Sequence, residues 1–376
     1  DAAATDGVRV DLDGCSGLVR VGDGEVTVRA GTRLWQLNAL LAERGLALPI
    51  LGSIAQQSVA GVVATGTHGS SLLHGNLGTL VRAVTLVDGR GDVVGVGPGD
   101  PRLDGVRVHL GALGILTEVS LEVEPAFGLV QTIEKVPVAA VARQVEAIGS
   151  SAEYVKIWWV PHTGDALVFR YRRCAPDLRR VSVARAERWV DTNLVHRLIL
   201  PRMFRRNERH PEGVPRWNRL AARTLVKGPR TGPSTLMFAT PDPARHDETE
   251  AAVPLAAGGE AFDRLVRCLD GTDVRVNFIA ELRFVRGDTG WLSPASGRDT
   301  VQLGAYTALR AHRDRYFRAF WEAMRGLDAR PHWGKWFDEV DLDAGYPQAG
   351  RFRALRDELD PDRVFGNDFT RRVFGS

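Results

Sequence analysis

Gln56-Gln-Ser-Val-Ala-Gly-Val-Val-Ala-Thr-Gly-Thr-His-Gly69 is too broken by glycine for a strand and too short in its apolar part for a helix of ordinary length. Gly61, Gly66 and Gly69 let the backbone come close to another molecule, while Ser58, Thr65, Thr67 and His68 set hydrogen-bonding groups among them. Successive N–H groups in such a loop form a concavity for a pyrophosphate, with Ser58 capping a short helical turn over 59–63. An ordinary glycine-rich connection between two buried strands has the same composition, and spacing alone does not separate the two readings. The chain has neither a G-x-G-x-x-G that opens a helix after a strand nor a G-x-x-x-x-G-K-[ST]. Without them, Rossmann-type and P-loop phosphate binding are excluded.

Around this loop, 376 residues with 44% hydrophobic and 25% charged content can bury a large core, more naturally as two domains than one. No apolar run approaches the roughly 20 residues of a membrane-spanning helix. The opening Asp1-Ala-Ala-Ala-Thr5 has neither the basic nor the apolar region of a signal peptide, so a cytoplasmic setting is expected. Cys15, Cys174 and Cys268 are odd in number and far apart, which points to neither a disulfide framework nor a zinc site. A net charge of +3 is too diffuse to indicate nucleic acid. Nearly all cations are arginine; the lysines are Lys135, Lys156, Lys227 and Lys335, so each lysine merits inspection.

Residues 7–13 and 25–30 alternate apolar and polar side chains and are expected as half-buried strands. From Thr32 to Gly45 the period changes: Leu34, Leu37, Leu40 and Leu41 share a helical face, with Thr32 as the expected N-cap and Gly45 just past the end. Strands over 82–87 and 92–96 flank Asp88-Gly-Arg-Gly91, which is hairpin chemistry. A second glycine pair, Gly111 and Gly114, leads through Ile115 into an alternating strand over 117–124. The first part is therefore α+β.

Beyond Gly128, where eight of the nine tryptophans lie, a second domain is expected, with paired strands over 154–160 and 166–171. Residues 181–209 are basic and partly amphipathic; a solvated helical face and a membrane-surface or acidic-partner patch both fit. Residues 307–325 predict a helix whose aromatic face enters the core.

Two short runs carry chemistry. Ala280-Glu-Leu-Arg-Phe-Val285 reads as a strand, so Glu281 and Arg283 project from one face. A carboxylate there can hold the guanidinium and a substrate hydroxyl, and the guanidinium can stabilise developing negative charge; from this stretch alone a same-face salt bridge without chemical role is the first reading. Pro331-His-Trp-Gly-Lys-Trp336 sets a rare lysine beside a histidine and two tryptophans. Buried there, Lys335 would favour its neutral form and could accept a proton, while at the surface it would snorkel. His332 and His68 alone read as packing histidines, the glycine–threonine setting of His68 favouring a role. No H-E-x-x-H, C-x-x-C, G-x-S-x-G or calcium loop occurs, and no metal site is expected.

Ser58-Val-Ala-Gly61 with Thr65-Gly-Thr-His-Gly69, then Gly111-Ala-Leu-Gly-Ile-Leu116, Glu281-Leu-Arg283 and His332-Trp-Gly-Lys335, in this order, resemble the sugar-1,4-lactone oxidase and alditol oxidase group of the vanillyl-alcohol-oxidase-type flavoproteins. The resemblance covers essentially the whole chain. It implies an FAD-binding domain of two α+β subdomains (1–126), a substrate domain whose antiparallel sheet covers the flavin (127–359), and a C-terminal segment (360–376) that returns to the flavin side. By the same resemblance, Ser53, Ser58, Gly61, Thr65, Gly66, Thr67, His68, Gly69, Gly114 and Ile115 contact FAD. Glu281, Arg283 and Lys335 form the catalytic and substrate-binding set, with Ser53 and Tyr306 beside the substrate.

The implied reaction is oxidation of a CH–OH group of an aldono-1,4-lactone by hydride transfer to flavin, with O2 or another acceptor taking the electrons. An open-chain polyol such as xylitol or sorbitol is the alternative substrate; a tyrosine at 306, where a threonine would face a polyol, favours the cyclic lactone. Members of the group carry a further glycine-rich pyrophosphate loop, often with a histidine joined covalently to the flavin, ahead of the segment matching residues 6–12. That loop is expected to precede Asp1, since without its opening βαβ element the first sheet keeps an unpaired edge. Whether the flavin is covalent is therefore not legible, and a non-catalytic ligand-binding protein on the same fold stays open as a reading.

Overall fold

In a computed structural model of the chain, residues 5–175, 189–225, 228–239, 245–270 and 272–375 are described. Two sheets organise them. The first takes strands β1 (Leu18–Gly22), β2 (Glu25–Arg29), β4 (Val81–Val87), β5 (Val93–Val96) and β6 (Ile115–Glu122) in the order β1-β2-β6-β4-β5, with every neighbour antiparallel. The β4–β5 hairpin closes as its turn residues predict: Asp88 Oδ1 accepts the N–H groups of Arg90 and Asp92, both at 2.9 Å. A two-stranded ribbon of β3 (Leu46–Ala47) and β7 (Glu124–Pro125) completes this half.

The strand expected over 7–13 does not form. Val8 and Val10 are 91% and 57% exposed, and the segment pairs with no strand among the described residues. Alternation alone makes no strand without a neighbour to bond. Helix α1 (Leu34–Ala42) buries Leu34, Leu37 and Leu41 as expected, but Arg33 rather than Thr32 is its N-cap. Thr32 is fully buried, donating its hydroxyl to Arg29 O at 2.6 Å and accepting Gly17 N–H at 2.9 Å, which ties the end of β2 to the chain before β1. Helix α2 (Val59–Ala64) lies inside the glycine loop.

The second sheet holds β8 (Gly128–Pro137), β9 (Tyr154–Trp159), β10 (Asp165–Cys174), β11 (Arg230–Pro233), β12 (Asp247–Pro254), β13 (Ala280–Val285), β14 (Thr300–Thr307) and β15 (Arg330–Pro331). Their order is β11-β8-β10-β9-β13-β14-β12-β15. Helices 138–149, 258–267 and 310–324 cover one face, where Val141, Phe262, Tyr316, Phe317 and Phe320 are buried among the apolar side chains of β9, β13 and β14. The predicted helix over 307–325 begins at Arg310, because Thr307 still belongs to β14. The described part of the basic segment, 189–209, is helical as expected, while 181–188 lies outside the described residues.

The core of the first lobe takes in Trp333, Phe337, Tyr346, Phe352, Leu355, Phe369 and Phe374. By packing, then, the chain returns to the first lobe near Trp333 rather than at residue 360. Trp333, Phe337, Tyr346 and Phe352 do this work by burying in the first core, while Trp336 between them packs against the second. That crossing carries the 332–335 turn to the boundary between the lobes.

Candidate active site

Register builds the open face of the second sheet. Trp158 pairs with Glu281, Glu281 with Gly304, and Gly304 with Glu250, so one row crosses β9, β13, β14 and β12. Side chains two residues away leave the same face. Lys156 and Arg283, themselves partners, lie to one side of this row; Tyr306 and Glu248, also partners, lie to the other. Gly52, Ser53, Ile54, Gln57, Thr67 and His68 face them from the first lobe, and His332, Gly334 and Lys335 close a third wall. The cleft between opens to solvent, and with the solvent at its mouth included it spans about 820 Å³.

Glu281 is the most heavily bonded group. It accepts Trp158 Nε1–H at 2.8 Å, Arg283 Nη2–H, and the Tyr306 hydroxyl at 3.1 Å, and the Lys156 ammonium stands 3.6 Å away. Burial opposes its charge, but Arg283 and Lys156 outweigh burial and hold the carboxyl down at about 2. Such a group orients its neighbours and accepts no proton near neutral pH. Burial likewise opposes the Arg283 cation, and Glu281, Tyr306 and Glu250 more than restore it. Arg283 Nη2 also donates to Ser53 Oγ at 2.9 Å, which joins the sheet to the first lobe. Burial and Glu281 keep the Tyr306 hydroxyl protonated. Gly304 gives that phenol its place: a Cβ there would stand 2.5 Å from the Tyr306 oxygen.

Lys335 differs. Burial pushes its amine down to about 8, while the Glu248 carboxylate in contact with it favours the ammonium. Among the cleft groups it can change protonation close to neutral pH. His332 stays neutral, pushed down to about 4 chiefly by burial. Its Nδ1 accepts Gly334 N–H at 3.0 Å, so Nε2 carries the proton. His68 is 3% exposed; Nδ1 faces Gly69 O at 2.9 Å and Nε2 faces Glu250 Oε1 at 2.7 Å. Burial opposes the Glu250 charge, yet His68 holds its carboxyl down at about 2.

Of the residues expected at the site, Ser53, Thr67, His68, Glu281, Arg283, Tyr306 and Lys335 converge on the cleft. Ser58, Gly61, Thr65, Gly66, Gly69, Gly114 and Ile115 lie outside its lining. Ser58 Oγ caps α2 by accepting Gly61 N–H at 3.2 Å, and Thr65 donates to Gly61 O at 2.9 Å. A Cβ on Gly69 would meet Ile50 at 2.5 Å. Gly114, at φ 147, lies where a Cβ would be 2.6 Å from Val87 O, and Ile115 opens β6 opposite Val87. Sequence reasoning passed over Trp158, His246, Glu248 and Glu250, and reached Lys156 only as a scarce lysine. The signal for the two glutamates was the same spacing of two that marked Glu281 and Arg283.

The site fits FAD. Gly52 and Gly334 bring bare backbone to the cleft wall, where a Cβ would crowd Thr67 at 3.1 Å and His332 at 3.2 Å. His109, buried on the second glycine crossing, accepts Gly111 N–H at Nδ1 and has an Nε2–H without a partner among the described residues. The next residue, Leu110, bonds Ala64 O at 3.0 Å, beside Thr65 and Gly66, so this orphaned donor sits at the junction of the two glycine segments.

Fold and site together define a two-lobed, FAD-dependent oxidoreductase. The chain belongs to the D-arabinono-1,4-lactone oxidase family, whose profile matches residues 119–373; an FAD binding domain profile matches residues 1–97. It is 34% identical over 379 residues to the L-gulono-1,4-lactone dehydrogenase of Mycobacterium tuberculosis, covering 100% of this chain and 88% of that protein. To the alditol oxidase of a Streptomyces species it is 35% identical over 375 residues, covering 97% and 85%. Among solved structures, cholesterol oxidase from Brevibacterium sterolicum shares the fold at a TM-score of 0.77 and 15% identity, over 96% of this chain and 83% of that one.

Proposed function

We propose that the protein oxidises a CH–OH group of an aldono-1,4-lactone, with Glu281, Arg283, Ser53 and Tyr306 binding the substrate and Lys335 taking the hydroxyl proton. The observation that carries this is the division of labour in the cleft. Glu281 and Arg283 are locked in their charged forms, and Lys335 combines burial with a proton affinity near the working range. FAD, when bound, supplies the hydride acceptor, and the protein supplies geometry and charge. Arg283 stabilises negative charge growing on the substrate oxygen, Glu281 accepts a substrate hydroxyl, and Lys335 removes the proton of the reacting one. His109, Thr67, His68 and the glycine segments around them would hold the cofactor.

Tyr306 favours a ring over an open chain: its hydroxyl is engaged with Glu281, so the phenyl face rather than a donor meets the substrate. The likeness to an alditol oxidase supports a polyol as the second reading. Dioxygen or another acceptor would reoxidise the flavin, and a cytoplasmic setting, which three unpaired cysteines suit, belongs to the same proposal. Anaerobic bleaching of the FAD-loaded protein by a panel of lactones and polyols tests it: lactones should bleach faster, and faster bleaching by xylitol or sorbitol would reverse the assignment. In K335M the flavin should stay bound and bleach at least about a hundredfold more slowly. Unchanged bleaching would remove Lys335 from the reaction.

A further inference from the structure

Lys335 stands at the end of a chain of side chains that the substrate set does not use. Its ammonium pairs with Glu248 Oε2, and Glu248 Oε1 accepts His246 Nε2–H at 2.7 Å. Two residues apart on one side of the same strand segment, His246 and Glu248 both line the cleft. Backbone geometry fixes the far end as well: Trp336 N–H donates to Glu248 O at 3.0 Å, so the turn bearing Lys335 is bonded to the strand that bears its partner. The His246 ring stacks on Phe278 at 4.4 Å and meets Tyr306 edge-on at 5.7 Å. Its side chain is 9% exposed and that of Glu248 17%.

The cleft thus has carboxylates with separate duties. Glu281 serves Arg283, Trp158 and Tyr306; Glu250 serves His68; Glu248 serves the amine. A base works when a third group orients it, and here that group is itself held. We propose that Glu248 and His246 are positioning residues for the reaction: Glu248 orients the Lys335 amine and sets how tightly it holds a proton, and His246 fixes Glu248. This rests on Lys335 being the base. The substrate O–H bond breaks, an N–H bond forms on Lys335, and the new ammonium is stabilised where it forms by the Glu248 carboxylate. Neither Glu248 nor His246 makes a bond to substrate carbon.

The other titratable and charged groups around the cleft are His68 from the glycine loop, Glu250 on β12, Glu281 and Arg283 on β13, Tyr306 on β14 and His332 in the turn of Lys335 itself. Among the described residues, Glu248 is the one in ion-pair contact with the amine. Loss of that negative neighbour disfavours the ammonium, so the amine should deprotonate at lower pH, by at least about one unit.

Competitive acetylation of the FAD-loaded protein with limiting acetic anhydride across pH, read at Lys335 by mass spectrometry, measures that directly and without turnover. The midpoint should fall in E248Q and, by less, in H246A. It should return in H246Q, which keeps an N–H donor near the Nε2 position. The rising limb of the rate–pH profile should move with it. A midpoint unmoved in both E248Q and H246A overturns the proposal. Should E248Q lose flavin, the H246A and H246Q pair decides alone: restoration by glutamine supports positioning, and equal midpoints refute it. A midpoint that moves while the rate profile stays fixed leaves the positioning intact and refutes Lys335 as the base.

Discussion

Replacing Glu250 with alanine should weaken the protein strongly, because the residue joins the lobes through a buried ion pair. His68 and Glu250 side chains are 3% and 4% exposed and 2.7 Å apart. Removing one partner of such a pair costs about 3–5 kcal/mol, since the other is left buried without compensation. Its titration gives a second route to the magnitude. The Glu250 carboxyl lies at about 2 instead of its ordinary 4.5, and at about 1.4 kcal/mol per pH unit this is worth roughly 3 kcal/mol. The sign follows from the lowered value: the contribution is complete above pH 4.5 and is lost as pH falls toward 2.

Glu250→Gln should cost less, about 1–2 kcal/mol. Its amide can donate to Nε2 of a neutral His68 while Nδ1–H still serves Gly69 O. Urea denaturation of the FAD-loaded proteins, followed by tryptophan fluorescence at pH 7 and at steps down to pH 3, reads both effects. E250A should show a lower midpoint at pH 7 and a shallower loss on acidification; Glu281, also held at about 2, keeps part of the acid sensitivity in place. An E250A protein within about 1 kcal/mol of wild type at pH 7, or equally acid-sensitive, would refute the reasoning.

Ser53→Ala removes the oxygen that takes Arg283 Nη2–H at 2.9 Å, and KM for the lactone should rise about tenfold, the lower end for a hydrogen bond to a charged group; steady-state kinetics with an artificial acceptor measures it. Gly114→Ala sets a Cβ 2.6 Å from Val87 O at φ 147 and should fail to give soluble protein, whereas Gly91→Ala, at φ 87 with nothing within 4 Å, should cost only about 1–2 kcal/mol. Comparing soluble yield and thermal midpoint of the two separates close packing from backbone strain.

Several elements were legible because one local rule decided them. The hairpin over 82–96, helix α1 and the Glu281–Arg283 strand each rest on spacing within a few residues, and the order of the glycine loops, the Glu281–Arg283 pair and Lys335 carried the family. Glu248 and Glu250 follow the same spacing, which by itself also fits the solvent side of a strand. What turns them inward is pairing with β14, more than 50 positions away in sequence, and no local pattern encodes that. Trp158 was hidden for the same reason, since its partner Glu281 lies 123 residues on. Thr32 shows the converse: its local pattern named a helix cap, and a tertiary bond to Arg29 and Gly17 took its hydroxyl.

Gly304 stands between Glu281 and Glu250 in the middle of a strand, and the Tyr306 phenol occupies the space its missing side chain leaves. The smallest residue of the row therefore sets how deep the Tyr306 ring lies in the cleft. Any side chain at 304 would evict the ring from its seat, release the Glu281 carboxylate from one of its donors, and expose a flat aromatic wall to a different depth of the cleft. If the proposed reading of the cleft holds, a substitution at 304 should change the order of preference among lactones and polyols through Tyr306, which anaerobic flavin bleaching by the same substrate panel measures.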